Sequence, residues 1–244
     1  MKSFKTSEET AVGPAIADVF ERSADTVEHK IETFPRYVRR QQLKRFLAIY
    51  ELYKRILPVK GSIVECGVFR GFGFMSWVKL SAILEPENLT RRVYGFDTFD
   101  GFPTLAEVDQ NAHTQTHEGD LRSNSHDELL RLLEIHDRDR FLGHIPKAQL
   151  VRGDITETAP RFVEQNPHLV VSLLFLDADL YEPTKAALRA FVPRMPRGAV
   201  LAFDELDNPQ WPGETIAAVE ELGLNRLRLE RLEWDPYIAY AHID

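Results

Sequence analysis

The chain of 244 residues carries 30 Lys and Arg against 38 Asp and Glu, a formal net charge of −8, and 43% of it is hydrophobic. That balance fits one large globular domain over residues 1–244 and excludes a disordered, collagenous or low-complexity chain as the main state. A lone cysteine, Cys66, excludes an internal disulfide and multi-cysteine metal clusters, and Arg36, Arg39, Arg40 and Lys44, the best candidate for a nucleic-acid patch, read instead as the wet face of a helix.

No run of 18 apolar residues occurs, and the first nine residues lack the apolar core of a signal peptide, so the expectation is a cytoplasmic protein with neither membrane nor nucleic-acid partners. Residues 1–58 read as a helical extension. Between Pro35 and Pro58, Leu43, Phe46, Leu47, Tyr50, Tyr53 and Leu57 recur at helical spacing. A β-prone run from Gly61 to Gly67 then meets a glycine turn and a helix over Phe72 to Leu84, with Trp77 in the core. The alternation repeats, and each strand hands an acid to a loop: Val93 to Phe96 ends in Asp97, Gln149 to Val151 in Gly153 and Asp154, Val170 to Leu176 in Asp177, Gly198 to Phe203 in Asp204 and Glu205. Helices fit Pro183 to Val192 and Gly213 to Leu222. Leu227 to Leu232 and Tyr237 to Ile243 read as two closing strands.

Apolar strands separated by helices imply a doubly wound α/β sheet, mostly parallel, with ligands beyond the carboxyl ends of the strands. The polar stretch Thr104 to Ser125 lacks apolar periodicity and reads as a lid loop or as a plain surface loop.

The first glycine loop has Gly67, Gly71 and Gly73 with Glu65 two positions ahead, which is not G-x-G-x-x-G. A carboxylate there repels a pyrophosphate and attracts a cationic amino acid, which favours S-adenosylmethionine over a dinucleotide. Asp97 suits ribose hydroxyls and Asp154 an adenine amino group, although an Asp ending a strand also serves as a turn former or helix cap. Asp177, Asp204 and Glu205 on adjacent strand ends would repel one another unless a hard cation such as Mg²⁺ joined them; the bland alternative makes them caps and ion-pair partners. Cys66 reads as a small buried residue.

The blocks Val64-Glu65-Cys66-Gly67-Val68-Phe69-Arg70-Gly71, Asp97-Thr98-Phe99-Asp100-Gly101-Phe102-Pro103, Asp177-Ala178-Asp179-Leu180-Tyr181 and Asp204-Glu205 together resemble the macrocin O-methyltransferase family. The resemblance implies a seven-stranded, Rossmann-like class I methyltransferase sheet with an antiparallel last strand, S-adenosylmethionine as donor, a divalent metal, and sugar hydroxyls of nucleotide sugars or glycosylated natural products as acceptors, as in antibiotic biosynthesis. It implies cofactor contacts from Glu65, Gly67, Arg70, Gly71, Asp97, Thr98, Asp154 and Asp177, metal ligation by Asp177, Asp204 and Glu205, and substrate contacts from Phe102, Tyr181 and Trp211. Family members often carry two aspartates where this chain has Asp204 and Glu205.

Asp179 is the expected general base, with Asp177 beside it mainly as a ligand; His113 or His117 is the competing base. Alternative readings are a metal-dependent catechol or phenol O-methyltransferase and a cofactor-binding scaffold without turnover. The helical extension covers the sheet, closes over the cofactor or makes a homo-oligomer contact, and the sequence does not choose among these.

Overall fold

A computed structural model describes residues 6–110 and 116–244. His113 and the neighbouring Asn111 and Thr114 lie outside the described residues. The chain divides into two compact units, one ending at Leu47 and one beginning at Ala48. In the first, helix α1 (Ser7–Arg22) starts at a capping box: the Glu9 amide donates to Thr6 Oγ1 at 3.1 Å, and Glu9 Oε2 accepts from the Thr6 amide at 2.8 Å. Helix α2 (Val27–Glu32) begins after the cap Thr26, and its Lys30 ammonium lies over the Phe20 ring at 4.8 Å. Helix α3 (Arg40–Ile56) runs into the second unit, where Ala48, Ile49, Leu52, Tyr53 and Ile56 are buried. Tyr53 is buried as expected and Leu43, Phe46 and Tyr50 are half-buried, whereas Leu47 and Leu57 are exposed and the rest of the buried face is made by Ala48, Ile49, Leu52 and Ile56.

The second unit is built on a seven-stranded sheet. Strands β1 (Ser62–Cys66), β2 (Val93–Asp97), β3 (Ala148–Arg152), β4 (Val171–Leu176) and β5 (Val200–Phe203) are parallel, and β7 (Asp235–His242) inserts antiparallel between β5 and β6 (Glu230–Leu232), giving the order β3-β2-β1-β4-β5-β7-β6. Every residue of β1, β4 and β5 is buried, as expected for strands covered on both faces. The coverings are α4 (Phe72–Leu84), α5 (His126–Asp139), α6 (Ile155–Gln165), α7 (Tyr181–Phe191) and α8 (Pro212–Leu222). Phe96 meets Phe162 and Phe191 at centroid separations of 5.2 and 5.3 Å on one side of the sheet. Trp77 packs between Tyr53 and Phe175 and is fully buried, as its place in the helix pattern predicts.

At the amino-terminal edge, the buried Arg91 guanidinium is fully engaged. Nε contacts Glu85 Oε2 at 2.6 Å, Nη1 reaches the Gly61 carbonyl and Ser172 Oγ, and Nη2 reaches the carbonyls of Ile56 and Val59. One side chain thereby ties the end of α3 to β1 and β4.

Within 104–125, the described residues make defined contacts. A single 3-10 turn spans Glu107–Asp109, and the chain pairs with itself where the Phe102 amide donates to the Asp120 carbonyl and the Gly119 amide to the Phe102 carbonyl.

Candidate active site

The strand order reverses between β1 and β4, so the connections that follow them run to opposite faces of the sheet and leave a crevice outside the carboxyl ends. A cleft opens there, with Gly67, Asp97, Thr98, Phe102, Asp154, Asp177 and Asp179 in its wall. Seven of the expected site residues are therefore brought together: Gly67, Asp97, Thr98, Asp154 and Asp177 from four strand ends, with Phe102 and Asp179 from the loops beyond them. The approach is close at Gly67, which has φ +96°: a Cβ there would lie 1.9 Å from the Asp177 carbonyl oxygen.

Asp97 has its carboxylate committed to backbone. Oδ2 accepts from the amides of Val68 and Phe69 at 2.8 and 2.7 Å, and Oδ1 accepts from the Phe99 amide at 2.6 Å. It thus holds the glycine loop against β2 while lining the cleft. Asp154 caps α6, its Oδ1 accepting from the Thr156 amide at 2.8 Å, so the cap and the cleft-lining position coexist in one residue. Thr98 Oγ1 donates to the Gly101 carbonyl at 2.6 Å and shapes the turn that presents Phe102.

Three expected cofactor residues sit elsewhere. Glu65 is buried below the loop, with Oε1 2.0 Å from where a Cβ of residue 73 would stand, which explains Gly73. Gly71 caps α4 in a left-handed conformation, φ +85°, and Arg70 is exposed with its guanidinium over the Phe69 ring. Cys66 is buried, and burial pushes its thiol pKa up, the state of a packing residue and not of a nucleophile.

On the acceptor side, Asp179 has φ +62° and is 8% exposed, in a tight turn closed by the Leu180 amide donating to the Ala178 carbonyl at 2.7 Å. An aspartate in this conformation stores roughly 1–3 kcal/mol of strain, which marks the turn as a position held for more than packing. Trp211 meets the Phe102 ring edge-on at 5.8 Å and backs it from outside the lining. Tyr181 points elsewhere: its hydroxyl donates to Glu220 Oε2 at 2.6 Å and accepts from Lys185. It belongs to an α7–α8 surface network because it occupies the first turn of α7, facing the neighbouring helix and not the cleft. His117 is exposed near Asp120, away from the cleft lining.

The strand-end acids after β5 are arranged around a buried partner that sequence reasoning missed. The Glu205 amide donates to Glu214 Oε1 at 2.9 Å, and the Glu205 carboxylate accepts from the Asn208 side-chain amide. Glu214 is fully buried, and burial together with the nearby charges of Asp204, Asp179 and Glu205 pushes its pKa well above the usual carboxylate range. Among the described residues, no three His, Cys, Asp or Glu side chains stand where they could hold a metal ion. The expected trio Asp177, Asp204 and Glu205 has the hard oxygen chemistry of a Mg²⁺ site without its arrangement, because Glu205 is turned onto Asn208. The signal for Glu214 was its place in the first turn of α8.

A family model described as macrocin-O-methyltransferase (TylF) matches residues 38–221. The chain belongs to this family. It has the class I methyltransferase fold. A tetracenomycin enzyme of Streptomyces olivaceus, 8-demethyl-8-(2,3-dimethoxy-alpha-L-rhamnosyl)-tetracenomycin-C 4'-O-methyltransferase, is 30% identical over 151 residues, 60% of this chain and 53% of that protein. The chain thus spans about half the length of that curated relative. Among solved structures, the calicheamicin methyltransferase CalS11 superposes with a TM-score of 0.93 at 37% identity, covering 98% of this chain and 93% of that one. The apo form of CalS11, described as a TDP-rhamnose 3'-O-methyltransferase, gives 0.85 at 35% identity, covering 98% and 95%. The O-methyltransferase NovP, at 19% identity and a TM-score of 0.62 over 85% of this chain and 81% of that one, shares the fold.

Proposed function

We propose that this macrocin-type O-methyltransferase moves a methyl group from S-adenosylmethionine to a sugar hydroxyl of a nucleotide sugar or glycosylated natural product. The donor fits the cleft by its chemistry: the acidic wall of Asp97, Asp154, Asp177 and Asp179 attracts a cationic sulfonium and ammonium. When bound, S-adenosylmethionine supplies a methyl group whose C–S electron pair stays with sulfur in an in-line displacement.

The chain's residues do the rest. Asp97 fixes the glycine loop and turns its remaining lone pairs to ribose hydroxyls; Asp154 faces the adenine amino group. Phe102, backed by Trp211, offers an aromatic face to the acceptor. Asp179 takes the acceptor hydroxyl's proton as the oxygen bonds to carbon, and Asp177 beside it orients that hydroxyl. As arranged, Asp177, Asp204 and Glu205 do not form a metal-holding group. Comparing turnover in excess EDTA with turnover in added Mg²⁺ tests whether they gather around a cation.

The observation that carries this reading is the burial of Asp179, in a strained turn, on the wall of the cleft that Asp97 and Asp154 also line. Asp179→Asn should lower kcat by about 10²–10⁴-fold with S-adenosylhomocysteine affinity retained in calorimetry. Unchanged kcat would remove Asp179 from the proton transfer. The sugar assignment also draws on the relatives, whose descriptions name a rhamnosyl tetracenomycin and TDP-rhamnose.

A further inference from the structure

Asp109 ends the helical turn Glu107–Asp109, within the 104–125 segment. It is 3% exposed, and a buried carboxylate is costly unless its oxygens are satisfied. Both are. Oδ2 accepts from the Ala106 amide at 2.9 Å, within its own turn, and Oδ1 accepts from the Tyr181 amide at 2.8 Å, at the start of α7. Gly213 at the start of α8 closes in on the same contact: a Cβ there would stand 2.0 Å from Asp109 Oδ1 and 2.5 Å from the Tyr181 nitrogen.

Tyr181 is two residues beyond Asp179. The turn between them is pinned on its other side by the Asp177 amide, which donates to the Cys66 carbonyl at 2.8 Å, and inside by the Leu180 amide on Ala178. Asp109 supplies the far anchor. A strained turn keeps its conformation only when its surroundings determine it, and here the carboxylate of a distant loop completes that set of constraints.

We infer that Asp109 is a positioning residue for methyl transfer: by holding the Tyr181 amide it sets where the Asp179 carboxylate stands in the cleft, and through Ala106 it joins that placement to the 106–109 turn. The inference rests on Asp179 acting as the base. A small misplacement of a reacting group can cost about 10²-fold in rate, so a residue that only places the base acts on kcat and not on the binding of either substrate.

The test compares Asp109→Ala and Asp109→Asn, each alone and combined with Asp179→Asn. Asp109→Ala is expected to lower kcat by about 10–100-fold with acceptor KM and S-adenosylhomocysteine affinity within about twofold of wild type. Asp109→Asn keeps an acceptor for the Tyr181 amide and should lose less. Neither should lower the residual rate of Asp179→Asn any further, because a residue acting through Asp179 has nothing left to place. Losses that multiply in the double variant, or a folded Asp109→Ala with wild-type kcat, would overturn the inference. If Asp109→Ala does not fold, Asp109→Asn in both backgrounds gives the same two readings. Full activity in Asp179→Asn alone would instead defeat the base assignment.

Discussion

Gly67 shows how little freedom the cleft leaves a single side chain. With φ +96° and the Asp177 carbonyl where a Cβ would go, Gly67→Ala must move either the glycine loop or the Asp177 strand end. The expected outcome is a loss of at least about 1–3 kcal/mol of stability and a weaker fit to S-adenosylhomocysteine, read by urea denaturation and calorimetry. Lys147 makes a different prediction. It is buried, donating to the Glu85 carbonyl at 3.1 Å, and burial, reinforced by the Arg140 charge, pushes its pKa down to about 8 from 10.5. Between those values the unfolded chain holds a proton that the folded one has released, so this group makes stability rise with pH across the interval. Subtracting the Lys147→Met denaturation profile from that of wild type should leave that rise; a flat difference would place the ammonium in solvent. The acids at strand ends were legible because topology alone brings them to one rim: Asp97, Asp154, Asp177 and Asp179 all line the cleft. Tyr181 was not legible, since its direction depends on which neighbouring helix offers Glu220, and Asp109 was hidden in a stretch with no periodic pattern.

The amino-terminal edge of the sheet is fastened by an element-joining side chain. Arg91 bonds to carbonyls at the end of α3 and the start of β1, to Ser172 of β4, and to Glu85, which also accepts from the Tyr53 hydroxyl at 2.8 Å. Arg91→Met leaves Glu85 without its buried charge partner and strands three carbonyls, and should cost about 3–5 kcal/mol in chemical denaturation, with the cleft residues at the opposite edge unaffected. A cost below about 1 kcal/mol would mean the ion pair acts as an exposed one. Strands and their order of acids could be read from apolar runs and punctuation, and the closing pair was visible as β6 and β7, with β6 starting at Glu230 instead of Leu227 and β7 at Asp235 instead of Tyr237. Helix α5 was not legible, because the exposed Leu130, Leu132 and Ile135 blur the buried stripe of Leu129, Leu133 and His136. Tyr53 was placed correctly on the buried face of α3 while Leu47 and Leu57 were not, an error that hydrophobic spacing permits when neighbouring stripes both contain apolar residues.

For the whole molecule, the sheet order, the antiparallel β7 and the family match agree on a methyltransferase, and sequence motifs alone pointed to the same family. What the sequence did not reveal is how the acids are finally arranged, since Glu205 and Glu214 are settled by α8 packing against the end of β5. The division at Leu47 was equally hidden, because helical periodicity continues through α3. The most direct measurement offers the intact chain methyl-labelled S-adenosylmethionine with TDP-rhamnose and a panel of other nucleotide sugars and glycosylated natural products, each analysed by mass spectrometry. The expected result is a product bearing one labelled methyl on a sugar hydroxyl, formed by the wild-type chain and sharply reduced in Asp179→Asn. Label appearing on no sugar while S-adenosylhomocysteine still binds, or appearing only on phenolic hydroxyls, would contradict it.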